Sequence, residues 1–166
     1  MPQRFDPKFD VLPAAQQQIW NALAAAPRLG FVLYGGTAIA LHLGHRRSID
    51  FDFFRSEPLD KNQLRAKFAF VKGAAVLQDT PDTQVILAEM PAGSVKISFF
   101  GNIGFGRVRE PLQTRDGVLL VASLDDGDQA KSDIGSGRGK RLSRHRRDDL
   151  SWGVIVVRSQ RFQTNV

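Results

Sequence analysis

The chain contains no cysteine among its 166 residues. That excludes disulfides, thiolate zinc sites and cysteine nucleophiles, and nothing in the composition argues for an oxidising compartment. No apolar run approaches the roughly 20 residues that a membrane-spanning helix needs, and no basic-then-apolar leader opens the sequence. A cytoplasmic protein with no membrane partner is expected. There is no internal repeat, and the length leaves room for one core and little more.

An acidic excess is also lacking, since 23 Lys+Arg face 17 Asp+Glu for a formal net charge of +6. The distribution matters more than the total. Through Asp126 there are 14 Lys+Arg against 13 Asp+Glu, whereas residues 127–166 carry 9 against 4. The body is nearly neutral and the basic character belongs to the tail, which is the form a nucleic-acid-binding extension takes.

What the body does contain is an ordered pattern. The apolar run Phe31-Val32-Leu33-Tyr34 leads into Gly35-Gly36-Thr37, apolar residues follow at helical spacing from Ala38 to Leu43, and Arg46-Arg47-Ser48 then precedes Ile49-Asp50-Phe51-Asp52-Phe53-Phe54. A glycine turn at a helix start lets backbone N–H groups approach a phosphate, and the helix dipole favours an anion there. Residues i and i+2 of a strand share a face, so Asp50 and Asp52 can share one cation. The bland alternative is a tight turn followed by a half-buried strand with two solvated acids. Asp-x-Asp or Gly-Gly alone would favour it, but the ordered combination favours the site.

Around this pattern the sequence predicts a helix over Leu12–Ala26 stopped by Pro27, a strand over Phe31–Tyr34, a helix over Thr37–Leu43, and a helix over Leu59–Phe68 with Asp60 as N-cap. Strands over Ala75–Gln78, Gln84–Ala88 and Ser94–Phe100 read as a meander, and Gly117–Leu124 supplies a last extended segment. In Ser94–Phe100, Val95, Ile97 and Phe99 face one way and Lys96 and Ser98 the other. If that strand neighbours Asp50 and Asp52, Lys96 and Ser98 line the same pocket; Lys96 reads equally well as a solvated strand lysine, and Arg46 and Arg47 as a solvated loop pair. His42 and His45 do not make a zinc site by themselves. Gly101 to Gly106 has its glycines in the wrong order for a dinucleotide fingerprint and reads as a flexible loop, and Gly135 to Arg141 lacks the Ser/Thr of a P-loop.

With Gly35-Gly36 and Asp50-Phe51-Asp52 in this order, the chain resembles the nucleotidyltransferase-like AbiEii/AbiGii toxin family, relatives of the minimal nucleotidyltransferases, over roughly Leu12 to Asp126. The resemblance implies an α/β (α+β) polymerase-beta-like fold, a mixed sheet flanked by helices. It implies a nucleotidyltransferase-like domain over residues 1–126 that is incomplete, with 127–166 a basic tail that is disordered or out of frame. It further implies catalytic and Mg²⁺-binding roles for Asp50 and Asp52, and nucleotide contacts from Gly35, Gly36, Thr37, Arg46, Arg47, Lys96 and Ser98. A nucleoside triphosphate, an RNA acceptor such as tRNA, and an antitoxin protein are the implied partners. Many nucleotidyltransferases carry a third acid on the strand that here holds Ser98, so water or substrate would complete the metal shell.

After Val121-Ala122-Ser123-Leu124-Asp125-Asp126 the composition turns abruptly to Gly, Ser, Arg and Asp without apolar periodicity. Such a break fits a disordered extension. It also fits a shift of reading frame, because the codons from Gly127 to Gly153 can spell ATKLKVILAAAEAKDYRDIAAMISAGV in the neighbouring frame. That string is an amphipathic helix with the lysine and aspartate the family uses, and the present chain carries neither in context; Lys131, Asp148 and Asp149 are near by number only. Exposed apolar surface on the sheet would follow from the missing helices. The rival class is a non-catalytic, basic-tailed RNA-binding protein, or an inactive remnant of a toxin gene.

Overall fold

The computed structural model describes residues 1–104 and 110–124. In chain order the elements are β1 (Arg4–Phe5), α1 (Ala14–Ile19), β2 (Val32–Tyr34), α2 (Gly35–Leu43), β3 (Asp50–Phe54), α3 (Lys61–Lys67), α4 (Ala69–Gly73), β4 (Ala75–Thr80), β5 (Thr83–Met90), β6 (Gly93–Phe100), β7 (Leu112–Thr114) and β8 (Leu120–Val121). The strands form one eight-stranded sheet in the order β1-β7-β8-β2-β3-β6-β5-β4. It is mixed: β3 runs parallel to β6 and antiparallel to β2, while β4, β5 and β6 form the expected antiparallel meander. A mixed sheet with helices is the α+β class read from the sequence. The basic tail and its offset reading frame lie outside the described residues.

Alternation in β3 sets the centre. Phe51 and Phe53 are fully buried, stacked on each other at 6.3 Å, and Phe53 stacks on Phe99 of β6 at 5.7 Å. Phe31 closes on Phe99 edge-on at 5.4 Å, and residues of α1 and α2 complete this main core. Each buried phenylalanine stabilises the fold by about 2–3 kcal/mol. A slip of one residue in β3 would turn two of them out of the main core and bury both carboxylates among the rings, so the register is strongly specified. Asp50 and Asp52 therefore take the opposite face.

That opposite face holds a second cluster, Val32, Tyr34, Phe54, Phe100 and Ala122, all buried. The expected exposure of apolar surface on the sheet is thus absent from these positions. It appears instead at the edge, where Val76 and Leu77 of β4 are exposed. A register shift between Val76 and Gln78 interrupts the pairing there, the kind of bulge that blunts an open sheet edge.

The N-terminal helix is shorter than its sequence suggests. It winds as α-helix only to Ile19 and continues as 3-10 turns over Trp20–Ala25 and Pro27–Leu29. Trp20, Leu23 and Ala26 are buried at intervals of three, and three residues per turn aligns that spacing on one face. In α3, Asp60 caps as expected, its side chain accepting from the Gln63 N–H at 3.0 Å.

Candidate functional site

The parallel pairing of β3 with β6 places Asp50 beside Lys96 and Asp52 beside Ser98. On the other side of β3, Asp52 pairs with Tyr34, the residue directly before the glycine turn. The two acids, Lys96, Ser98 and the turn are thereby brought together. Lys96 Nζ stands 3.7 Å from Asp50 Oδ2, with both side chains about a third exposed. Such a half-solvated pair is worth no more than about 1 kcal/mol, too little to keep a stronger cation from Asp50.

Asp52 is different. It is only 6% exposed, and its pKa is pushed up to about 6, first by burial and next by the negative charge of Asp50, with the neighbouring Ser98 hydroxyl and the Lys96 ammonium pulling the other way. Ser98 Oγ is itself buried, and its hydroxyl faces that carboxylate. A buried acid short of counter-charge next to a buried hydroxyl is an all-oxygen donor set. It fits a hard divalent cation such as Mg²⁺, which takes one or two protein carboxylates and fills its remaining positions with water and phosphate oxygens. Among the described residues no three His, Cys, Asp or Glu side chains cluster, so a site formed by protein acids alone is not built here.

The two glycines serve different needs. Gly35 has a φ of +79°, a left-handed conformation that favours glycine, and it turns the chain from β2 into α2. Gly36 leaves room for a neighbour: a Cβ built on it would lie 2.6 Å from Arg46 Nη2. The Arg46 guanidinium therefore rests over the start of α2, where the helix already presents its positive end. Two positive features share that corner, and an anion between them satisfies both. Arg46 Nη1 also donates to the Arg47 carbonyl at 3.4 Å, and Arg47 is exposed in the same loop.

The Thr37 side chain turns inward, away from solvent. It is buried, and its hydroxyl meets Ser48 Oγ at 2.6 Å and donates to the Asp50 carbonyl. Its backbone N–H lies in the first turn of α2. Ser48 was not singled out from the sequence. The signal was its spacing, since Ser48, Asp50 and Asp52 alternate, but Ser48 lies outside the strand and no chemistry marked it.

The remaining candidates resolve into structural parts. His42 Nε2 donates to the Ala122 carbonyl at 2.9 Å, its ring stacks on Phe5 at 4.2 Å, and burial lowers its pKa, so it is a neutral packing residue. His45 is exposed. A cavity of about 380 Å³ lies at the His42 end of α2, lined by Gln3, His42 and Glu110 among others, away from the paired acids. Gly101 to Gly104 form neither helix nor strand, in keeping with the loop expected there, and the loop is tied down at its start: the Gly101 N–H donates to Asp82 O at 2.9 Å and the Asn102 N–H to Glu57 O at 2.7 Å, while Phe105 and Gly106 lie outside the described residues. No helix among the described residues is long and apolar enough to cross a membrane.

A relative from Aquifex aeolicus (strain VF5), the uncharacterized protein aq_aa25, is 30% identical over 98 residues, 58% of this chain and 45% of its own length. A solved H. pylori structure, described as a candidate nucleotidyltransferase, matches with a TM-score of 0.48 at 17% identity, covering 70% of this chain and 54% of the other. The chain thus spans about half the length of these proteins. Residues 19–122, a stretch that runs from α1 to β8 and contains both acids and the glycine turn, match the model of the nucleotidyl transferase AbiEii toxin of type IV toxin–antitoxin systems, and the chain belongs to that family.

Proposed function

We propose that this chain carries the nucleotide-binding half of a Mg²⁺-dependent nucleotidyltransferase acting as the toxin of a toxin–antitoxin pair. Asp50 and Asp52 hold the cation, with Ser98 beside them. The N–H groups of Gly35, Gly36 and Thr37 and the guanidinium of Arg46 take the phosphates of a nucleoside triphosphate, and Arg47 and Lys96 add positive charge at the rim. Bound there, Mg²⁺ offsets the charge of carboxylates and phosphates and polarises the phosphoryl group. An acceptor hydroxyl, supplied by RNA such as tRNA, attacks the α-phosphorus while the bond to pyrophosphate breaks. No protein nucleophile is required, because positioning and charge stabilisation carry such transfers.

The observation that carries this reading is the register of Asp50 and Asp52 against Lys96 and Ser98 on one sheet face, next to the glycine turn. Transfer of a labelled nucleotide to total RNA in Mg²⁺ tests it. Asp50→Asn and Asp52→Asn are each expected to lower transfer by 100-fold or more, on the order of 3 kcal/mol of transition-state stabilisation. Equal labelling by wild type and both variants rejects the assignment.

A second reading is favoured by charge, since residues 127–166 hold 9 Lys+Arg against 4 Asp+Glu. An inactive remnant that binds RNA through this tail, or an antitoxin through its body, would retain binding without labelling.

A further inference from the structure

We infer that Ser48 and Thr37 form a strut that positions Asp50 for the cation, an inference that rests on the metal-binding reading above. Asp50 is the first residue of β3, where a strand would ordinarily fray, and it is only half-buried. Yet three consecutive residues at this end are fastened to the helical layer. The Ser48 N–H donates to Val11 O at 3.0 Å, Gln16 Nε2 donates to Ile49 O at 2.6 Å, and Thr37 Oγ1 donates to Asp50 O.

Proton counting fixes the direction of the last link. A hydroxyl has one hydrogen. Thr37 gives its own to the Asp50 carbonyl, so in the 2.6 Å contact between Thr37 Oγ1 and Ser48 Oγ the donor is Ser48. The chain Ser48 O–H to Thr37 O–H to Asp50 C=O is directed, and each bond polarises the next. Thr37 is 2% and Ser48 8% exposed, so water cannot readily replace either link. Thr37 also belongs to the first turn of α2, and Ser48 Oγ lies 3.8 Å from the Cβ position of Gly36. One pair of hydroxyls therefore sets the spacing between the anion corner and the first carboxylate.

Neither hydroxyl touches the cation; both are positioning residues acting through the Asp50 backbone. Removing partners that orient a metal ligand typically costs 10- to 100-fold in affinity. The test uses Mn²⁺ alone, read by the loss of its free electron-spin-resonance signal, together with thermal melting in metal-free buffer. Ser48→Ala and Thr37→Val are expected to weaken Mn²⁺ binding about 10-fold, while Thr37→Ser, which keeps the hydroxyl, stays within about 2-fold of wild type. Melting of Thr37→Ser in metal-free buffer controls for stability, and Ser48→Ala supplies the metal comparison should Thr37→Val not fold. Wild-type binding together with unchanged affinity in Ser48→Ala overturns the strut alone. A wild-type chain that takes up no Mn²⁺ overturns the metal reading and the strut with it.

Discussion

The sharpest residue-scale consequence concerns Asp52, whose carboxyl is raised from 3.8 to about 6 in the folded chain. Between those values the folded state holds a proton that the unfolded state has released, so the contribution of Asp52 to metal-free stability is greatest in acid and falls as pH climbs from about 4 through about 6. A shift of this size corresponds to about 3 kcal/mol. Asp52→Asn removes the charge without changing the shape. In urea unfolding without metal, the variant is expected to exceed wild type by up to about 3 kcal/mol at pH 7 and to match it near pH 4; an equal gap at both values would refute the burial argument. The sequence made Asp50 and Asp52 equivalent, because alternation is blind to depth. Depth comes from the neighbours Ser98 and Tyr34, one on each side of Asp52, and no local pattern around the acids names them. Gly35 and Gly36 show the same limit: the pair was legible as a turn, but the seat for Arg46 over Gly36 depends on a loop that returns from the far end of α2.

Among the elements, those with a dense local signal were legible and those made by distant partners were not. The Asp60 cap and the β4–β5–β6 meander follow from spacing and turn residues within each segment. By contrast, β1 and β7 are two and three residues long and exist because Arg4 and Phe5 pair with Gln113 and Thr114 across most of the chain. The segment after β6 shows how far such contacts can tighten a glycine-rich stretch. A Cβ on Gly101 would lie 2.5 Å from the Leu59 nitrogen and 2.9 Å from the Glu57 oxygen, both backbone atoms that cannot rotate away. Gly101→Ala is therefore expected to cost about 2–3 kcal/mol, more than the roughly 1 kcal/mol for removing the helix cap with Asp60→Ala. Urea unfolding of the two variants side by side measures this, and a smaller loss at Gly101 than at Asp60 would contradict the tight backbone contact.

For the molecule as a whole, charge is divided as sharply as function. The body through Asp126 is close to neutral, and residues 127–166 hold most of the positive excess. Deleting 127–166 is expected to flatten the salt dependence of RNA binding, by about 0.7 in log–log slope for each lysine or arginine that engages a phosphate. An unchanged slope would move RNA contact to the body, where Arg46 and Arg47 stand exposed. Reading the gene across the codons for Leu124 to Gly153 separates a native basic extension from an offset frame. The pairing of β3 with β6 carries a last implication. Four elements, α3, α4, β4 and β5, are made between the strand that bears the acids and the strand that encloses them. Joining such distant segments is slow, because a long loop must close before any contact rewards it. A ribosome therefore releases both acids and the glycine bend well before Lys96 and Ser98 exist, and translation that stops short of Phe100 leaves fragments in which nothing encloses Asp52.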